Sequence, residues 1–153
     1  METAQSASTV SAPLVVVGVD GSACSYEALE FAIEEAGLRK ARLRIVTAWN
    51  IPALAYSGPY ASGVDPEVFE AGAKTTSAQA VERARAIAPQ LEIEAITPNA
   101  GGASGLLAAA EGAVLLVVGS RGHGGFATLL LGSVSQQLAQ HAPCPVAILH
   151  GTD

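Results

Sequence analysis

The residues that could do chemistry cluster between Gly119 and Ser135, where the chain reads GSRGHGGFATLLLGSVS after an apolar run from Val114 to Val118. Glycine at Gly119 and Gly122 admits left-handed or crowded backbone, so that consecutive N–H groups can turn toward one anion. Gly132 lets a second stretch of backbone come close, and Ser133 falls where a helix N-cap belongs. Its hydroxyl would join the free N–H groups at the positive end of a helix. Such a loop suits a phosphate. Two common phosphate-binding patterns are nevertheless excluded. The lysine-dependent loop G-x-x-x-x-G-K-[ST] has no counterpart, because Lys40 and Lys74 are the only lysines and neither follows such a glycine. The dinucleotide fingerprint G-x-G-x-x-G is absent from the end of the first apolar run, which reads VGVDGSACS.

The elements that must position this loop are legible from periodicity. Leu14 to Val19 is a continuous apolar run between Pro13 and Asp20-Gly21, the pattern of a strand buried on both faces of a parallel sheet. Ser22 or Ser25 can cap the helix that follows, with Leu29, Ala32, Ile33 and Ala36 on its apolar face and Glu27, Glu30, Glu34 and Glu35 facing solvent. Leu43 to Ala48 reads as the second strand. The connection from Trp49 to Val64 carries Pro52, Gly58, Pro59 and Gly63, too many breakers for regular structure, and suits a lid or flap. Asp65-Pro66 opens a long helix to about Ala88, with Phe69, Ala73, Ala80, Ala84 and Ile87 inward and Pro89 as its stop. Glu92 to Thr97 alternates as an edge strand should. A short helix from Ala103 to Ala110, a strand from Val114 to Val118, a helix from Ser133 to His141 and a strand from Pro145 to Leu149 complete the chain. Strands alternating with helices imply parallel pairing through right-handed crossovers.

Composition narrows the function classes. At 153 residues the chain suits a single α/β domain over 13–150 behind a flexible arm of small polar residues at 1–12. Half the residues are apolar but only 5% are aromatic, so the core must be Ala, Val, Leu and Ile packed between layers. A net charge of −6 without any Lys or Arg run offers nucleic acid no electrostatic footprint. No stretch is long and apolar enough for a membrane span, and the mean hydropathy of +0.37 reflects buried strands and Ala-rich helices. Cys24 and Cys144 lack C-x-x-C spacing, and residues 1–12 lack a basic, apolar leader, which reads as a cytoplasmic protein with reduced thiols.

The spacing Gly119-x-x-Gly122, nine residues, then Gly132-Ser133 resembles the ATP-binding signature of the universal stress protein family. VVVGVDGSACSYEALEFAIEEA, RIVTAWNIP and VVGSRGHGGFATLLLGSVSQQLAQHAPCPVAIL follow one another in family order, so the likeness runs from Pro13 to His150. Three positions depart from the family pattern: Val114 replaces a frequent acidic residue, Lys40 stands where a helix-ending glycine is usual, and Gly101-Gly102 occupies a stretch where proline is typical.

The resemblance implies a Rossmann-like fold of the adenine nucleotide alpha hydrolase type, five parallel strands in the order 3-2-1-4-5 with helices on both faces. That order sets Gly18, Val19 and Asp20 beside Val118, Gly119 and Ser120 at the crevice where winding reverses. It further implies that Gly119 and Gly122 hold the inner phosphates and ribose, that Gly132, Ser133, Val134 and Ser135 hold the outer ones, and that Ala48 offers backbone groups to adenine. Asp20 cannot face phosphate directly, since two like charges about 4 Å apart repel by around 4 kcal/mol at an effective dielectric near 20. It must meet ribose or base, or act through magnesium carried mainly by the ATP phosphates. Arg121 is expected either to donate to a phosphate or to be solvated, and His123 is expected to face solvent.

His123, His141 and His150 show no metal-ligand spacing, and no general base, arginine finger or γ-phosphate lysine is evident. The expected protein therefore binds ATP as a stress-response sensor or regulator read by a protein partner. A slow ATP hydrolase or nucleotidyl-transfer enzyme of the same fold, and a ligand-free chaperone-like dimer, are the other readings. The apolar 145–149 strand, an edge in this order, implies a homodimer across a two-fold axis.

Overall fold

A computed structural model describes residues 11–59, 63–122 and 131–151. The expected arm therefore falls outside the described residues apart from its last two positions, as do His123 and residues 60–62 of the long connection. Five strands, β1 (Leu14–Gly18), β2 (Arg42–Val46), β3 (Ile93–Ile96), β4 (Leu115–Gly119) and β5 (Val146–Leu149), form one parallel sheet in the order β3-β2-β1-β4-β5. This is the anticipated order. Val15 pairs with Leu43 on one side and Leu115 on the other, so β1 is central.

The continuous apolar runs of β1 and β4 follow from burial on two faces. Val15, Val17, Leu43, Ile45, Leu115 and Val117 pack in one cluster with α1 (Ala23–Arg39) and α2 (Pro66–Ile87). Leu14, Val16, Val46, Leu116 and Val118 join the opposite cluster with α3 (Gly102–Ala109) and α4 (Ser133–His141). Alternate side chains point to opposite faces of a strand, and each run feeds both layers.

Ser22 is the residue that caps α1, its Oγ accepting the Ser25 N–H at 3.2 Å. Leu29, Ala32, Ile33 and Ala36 form the buried stripe. The helix ends on Lys40, whose φ of 53° is the one positive value at a non-glycine residue among those described. Asp65 caps α2 by accepting the Glu67 N–H at 2.9 Å, with Pro66 in the first turn. Ala73, Ala80 and Ala84 are buried as anticipated, but Phe69 is 39% exposed and Ile87 51%. The 22 residues of α2 span about 33 Å, twice the length of a five-residue strand, while Ala84 and Ala88 keep its C-terminal end packed on the core.

The connection after β2 is more ordered at its start than its breakers suggest. Trp49 bridges to Asn99, its Nε1 donates to the Thr97 carbonyl at 3.1 Å, and a 3₁₀ turn follows at Ala53–Tyr56. None of the helices is long and apolar enough to cross a membrane, among the described residues.

Candidate functional site at the sheet reversal

Because β1 and β4 are neighbours whose crossovers leave in opposite directions, their C-terminal ends diverge into a crevice. A cavity of about 420 Å³ opens there. Gly18, Val19 and Asp20 line it from β1, Ala48 from beyond β2, and Val118, Gly119, Arg121 and Gly122 from β4. Gly132, Ser133, Val134 and Ser135 close it from α4. Segments a hundred residues apart in sequence thus meet. Ser120 is the exception: it is 1% exposed and does not line the cavity.

Ser120 instead fastens the loop. Its carbonyl accepts the Gly132 N–H at 2.7 Å and the Ser135 hydroxyl at 2.9 Å, which ties the exit of β4 to the entry of α4. The Gly132 N–H is thereby engaged within the protein. Gly132, at φ −70° and ψ 166°, is the N-cap of α4, and Ser133 is the first helical residue, one position from where capping preference puts it. No side chain caps α4. The first-turn N–H groups of Ser133, Val134 and Ser135 have no intrahelical acceptor, as at every helix start.

The glycines are needed for space. Positive φ occurs at Gly21, Gly58 and Gly112, whereas Gly119 and Gly122 stay outside the left-handed region, so close approach is the feature that holds there. A Cβ on Gly119 would sit 2.7 Å from Cys24 Sγ and 3.1 Å from the Cys24 carbonyl carbon and oxygen. On Gly122 it would sit 2.6 Å from Asp20 Oδ2, and on Gly132 3.3 Å from the Ser120 carbonyl oxygen.

Asp20 has two positions of contact. Its Oδ1 accepts the Ser22 N–H at 2.9 Å and the Ser22 hydroxyl at 2.5 Å, while Oδ2 lies against Gly122. The Asp20 N–H donates to Ser25 Oγ at 3.3 Å, and Ser25 Oγ donates to the Ser22 carbonyl at 2.9 Å. The carboxylate therefore organises the β1 loop and also presents charge to the crevice.

Four lining residues escape the sequence reading: Ser25, Val46, Gly102 and Leu106. Val46 had a signal, since it shares a strand face with Ala48 two residues on. Gly102 and Leu106 belong to α3, whose place is set by the crossover from β3. A Cβ on Gly102 would approach Val134 Cγ2 to 3.2 Å, so the bare N-terminus of α3 lets α4 close the wall. Burial pushes the Cys144 thiol pKa up, away from nucleophile character. No group of three or more His, Cys, Asp or Glu is gathered as a metal site among the described residues.

A doubly wound parallel sheet with a glycine-lined crevice at its switch point defines an α/β protein of the ligand-binding, Rossmann-like class. Residues 14–150 match the model of the universal stress protein family, and the chain belongs to that family. It is 34% identical over 134 residues to universal stress protein Rv2623 of Mycobacterium tuberculosis, an alignment covering 88% of this chain and 44% of that protein. The chain thus spans less than half the length of such curated relatives. Among solved structures, a universal stress protein in complex with cAMP is 31% identical, covers 92% of this chain and 98% of its own, and superposes with a TM-score of 0.66. The universal stress protein of Archaeoglobus fulgidus in complex with dAMP is 26% identical, with 90% and 96% covered and a TM-score of 0.63.

Proposed function

We propose that the crevice binds an adenine nucleotide, ATP with magnesium being the ligand that the glycine signature implies, and that the bound state regulates a stress response through a protein partner. The observation that carries this reading is the convergence of the Asp20 loop, the Gly119 to Gly122 turn and the uncapped start of α4 on one cavity. The cAMP and dAMP complexes of related universal stress proteins support the adenine nucleotide. Phosphate belongs at Ser133, Val134 and Ser135, where N–H groups and the helix dipole favour anions. The apolar side of the cavity, with Val46, Ala48, Leu106 and Val118, suits the base.

Asp20 is the single carboxylate lining the cavity among the described residues, and Ser22 already occupies its Oδ1. That fits a magnesium ion whose ligands come mainly from phosphate and water, with at most one protein carboxylate. The cavity offers no lysine for a γ-phosphate, which supports a holder of nucleotide over a rapid hydrolase. The half-buried apolar residues of β5 at an open sheet edge support a homodimer through that strand. Two free cysteines support a reducing, cytoplasmic setting.

The test is mass spectrometry of nucleotide released by denaturing the purified protein, paired with calorimetry on Gly132→Val. Co-purified adenine nucleotide and loss of binding in a folded variant are expected. Unchanged affinity in folded Gly132→Val would refute the assignment, and rapid turnover of added ATP would favour the enzymatic reading.

A further inference from the structure

The β3 edge of the sheet is open and bordered by α2. The carbonyls of Glu92 and Ile96 accept the N–H groups of Leu43 and Thr47 at 2.9 and 3.0 Å, so the even positions of this strand face β2. The odd positions, Ile93 and Ala95, therefore turn their N–H and C=O groups outward, where the sheet order holds no further strand. At the C-terminal end the Thr97 carbonyl is taken by Trp49 Nε1 at 3.1 Å, which limits the open stretch. Such an edge is a template for another chain.

Alternation sends the Ala95 side chain to the same sheet face as Ile93, the face that α2 covers, yet Ala95 is exposed. A groove of about 550 Å³ between strand and helix accounts for this. Its helical wall is the stripe Lys74, Ser77, Ala78, Val81, Glu82 and Arg85, spaced as one face of α2. A different face of α2 meets α1, where Arg83 pairs with Glu30 and lies over Tyr26. From Lys74 to Arg85 the helix rises about 16 Å, the length of about five extended residues. Spread over that length, the volume has a section of about 34 Å², less than half that of a helix about 10 Å across. It suits one extended chain.

The charges say what that chain should carry. Lys74 is answered by Glu70 at 3.0 Å. Glu94, the acid on β3 itself, is held by Arg44 at 2.9 Å and Arg42 at 3.7 Å. Arg85 makes no ion pair among the described residues, with Glu82 of the same stripe or with any other acid. Its guanidinium is left for a carboxylate supplied from outside.

We propose that this groove docks an extended segment of a partner protein, about five residues long, which adds to the β3 edge as a sixth strand. Alternate small or β-branched side chains of the segment pack against Ala78 and Val81, and an Asp or Glu meets Arg85. None of the groove residues lines the crevice, so the inference stands whether or not the crevice holds a nucleotide.

Selection of a phage-displayed library of random decapeptides on the folded full chain, followed by fluorescence anisotropy with the recovered sequences as synthetic peptides, tests the proposal. The recovered sequences should share an acidic residue within an alternating apolar pattern. Ala95→Pro removes an outward N–H and leaves the bonds to β2 in place, a change that edge strands tolerate, and Arg85→Glu reverses the anchoring charge. Circular dichroism checks both folds. Each variant should weaken binding at least tenfold, and a peptide with Lys in place of its acid should bind Arg85→Glu better than it binds the unaltered chain. That charge swap carries the test even if the proline variant fails to fold. Recovery of no peptide, or affinities that neither variant changes, would overturn the proposal. So would a dimer in light scattering that Ala95→Pro dissociates and Ile148→Glu leaves intact, because the edge would then belong to a second copy of the chain.

Discussion

Gly119→Ala puts the close packing under the nucleotide loop to a quantitative test. The new methyl would lie 2.7 Å from Cys24 Sγ and 3.1 Å from two backbone atoms of the same residue. Optimal carbon contacts are about 3.5–4.0 Å, so the backbone approach alone is short by about 0.4 Å or more. The sulfur is not a loose end either, since its thiol donates to the Leu149 carbonyl at 3.3 Å. Relief must come from moving the first turn of α1, and overpacking of this kind costs about 1–3 kcal/mol. At a central value near 2 kcal/mol, Tm should fall by about 4–8 °C for a chain of this length. Because Cys24 lies two residues beyond Ser22, that movement carries the Asp20 turn with it, and nucleotide affinity should fall too. Cys24→Ala removes the sulfur while leaving the 3.1 Å backbone contacts in place. The double variant should therefore recover part of the loss, with a coupling of about 1 kcal/mol in thermal and urea unfolding. Additivity within about 0.5 kcal/mol, or no effect of Gly119→Ala, would refute the packing argument.

Gly122→Ala separates binding from stability: its methyl meets the far end of the exposed Asp20 side chain, so stability should change by less than about 0.5 kcal/mol while nucleotide affinity shifts severalfold. A large Tm loss by calorimetric scan would contradict that. Lys40→Gly removes a left-handed side-chain penalty of about 1–2 kcal/mol, offset in part by glycine's unfolded-state entropy. A net gain near 1 kcal/mol should raise Tm by about 2–4 °C, and a lower Tm would show that Lys40 is held by something other than strain. Ile148→Glu places a charge in the edge strand β5, where Ile148 packs half-buried against the cluster under α3 and α4, and should yield monomer in light scattering, with circular dichroism confirming that the variant is folded. A wild-type monomer would contradict the dimer proposal.

The strands were legible wherever burial left a clear mark. The runs at β1 and β4 are uninterrupted because both faces are covered, whereas β3, at the edge, keeps Ile93 and Ile96 half-buried and leaves both Glu94 and Ala95 exposed instead of alternating. The lateral order was not contained in any local pattern; it came from the family resemblance, and without it Asp20 and Gly119 had no reason to be neighbours. Helical period likewise finds a face but not its margins. Phe69 and Ile87 read as part of the stripe of Ala73, Ala80 and Ala84 and still emerge into solvent, Ile87 at the margin of the stripe while Ala84 and Ala88 around it pack into the core.

At the site, the glycine spacing pointed to the right loop while local chemistry gave part of the wrong reason. Capping preference favours Ser133 over Gly132, because a serine side chain can satisfy a first-turn N–H. The structure reverses them: the Gly132 N–H is drawn to the Ser120 carbonyl, and a side chain there would press on that same oxygen. The decisive contact spans twelve residues, beyond the reach of a capping rule. Ser120 shows the converse, a polar residue inside the motif that is turned inward to fasten it. A motif position thus serves either to leave room for a ligand or to hold the loop that leaves room. Substitution distinguishes the two, since loss of room at Gly122 moves affinity alone whereas loss of the fastening at Ser135 should move affinity and stability together.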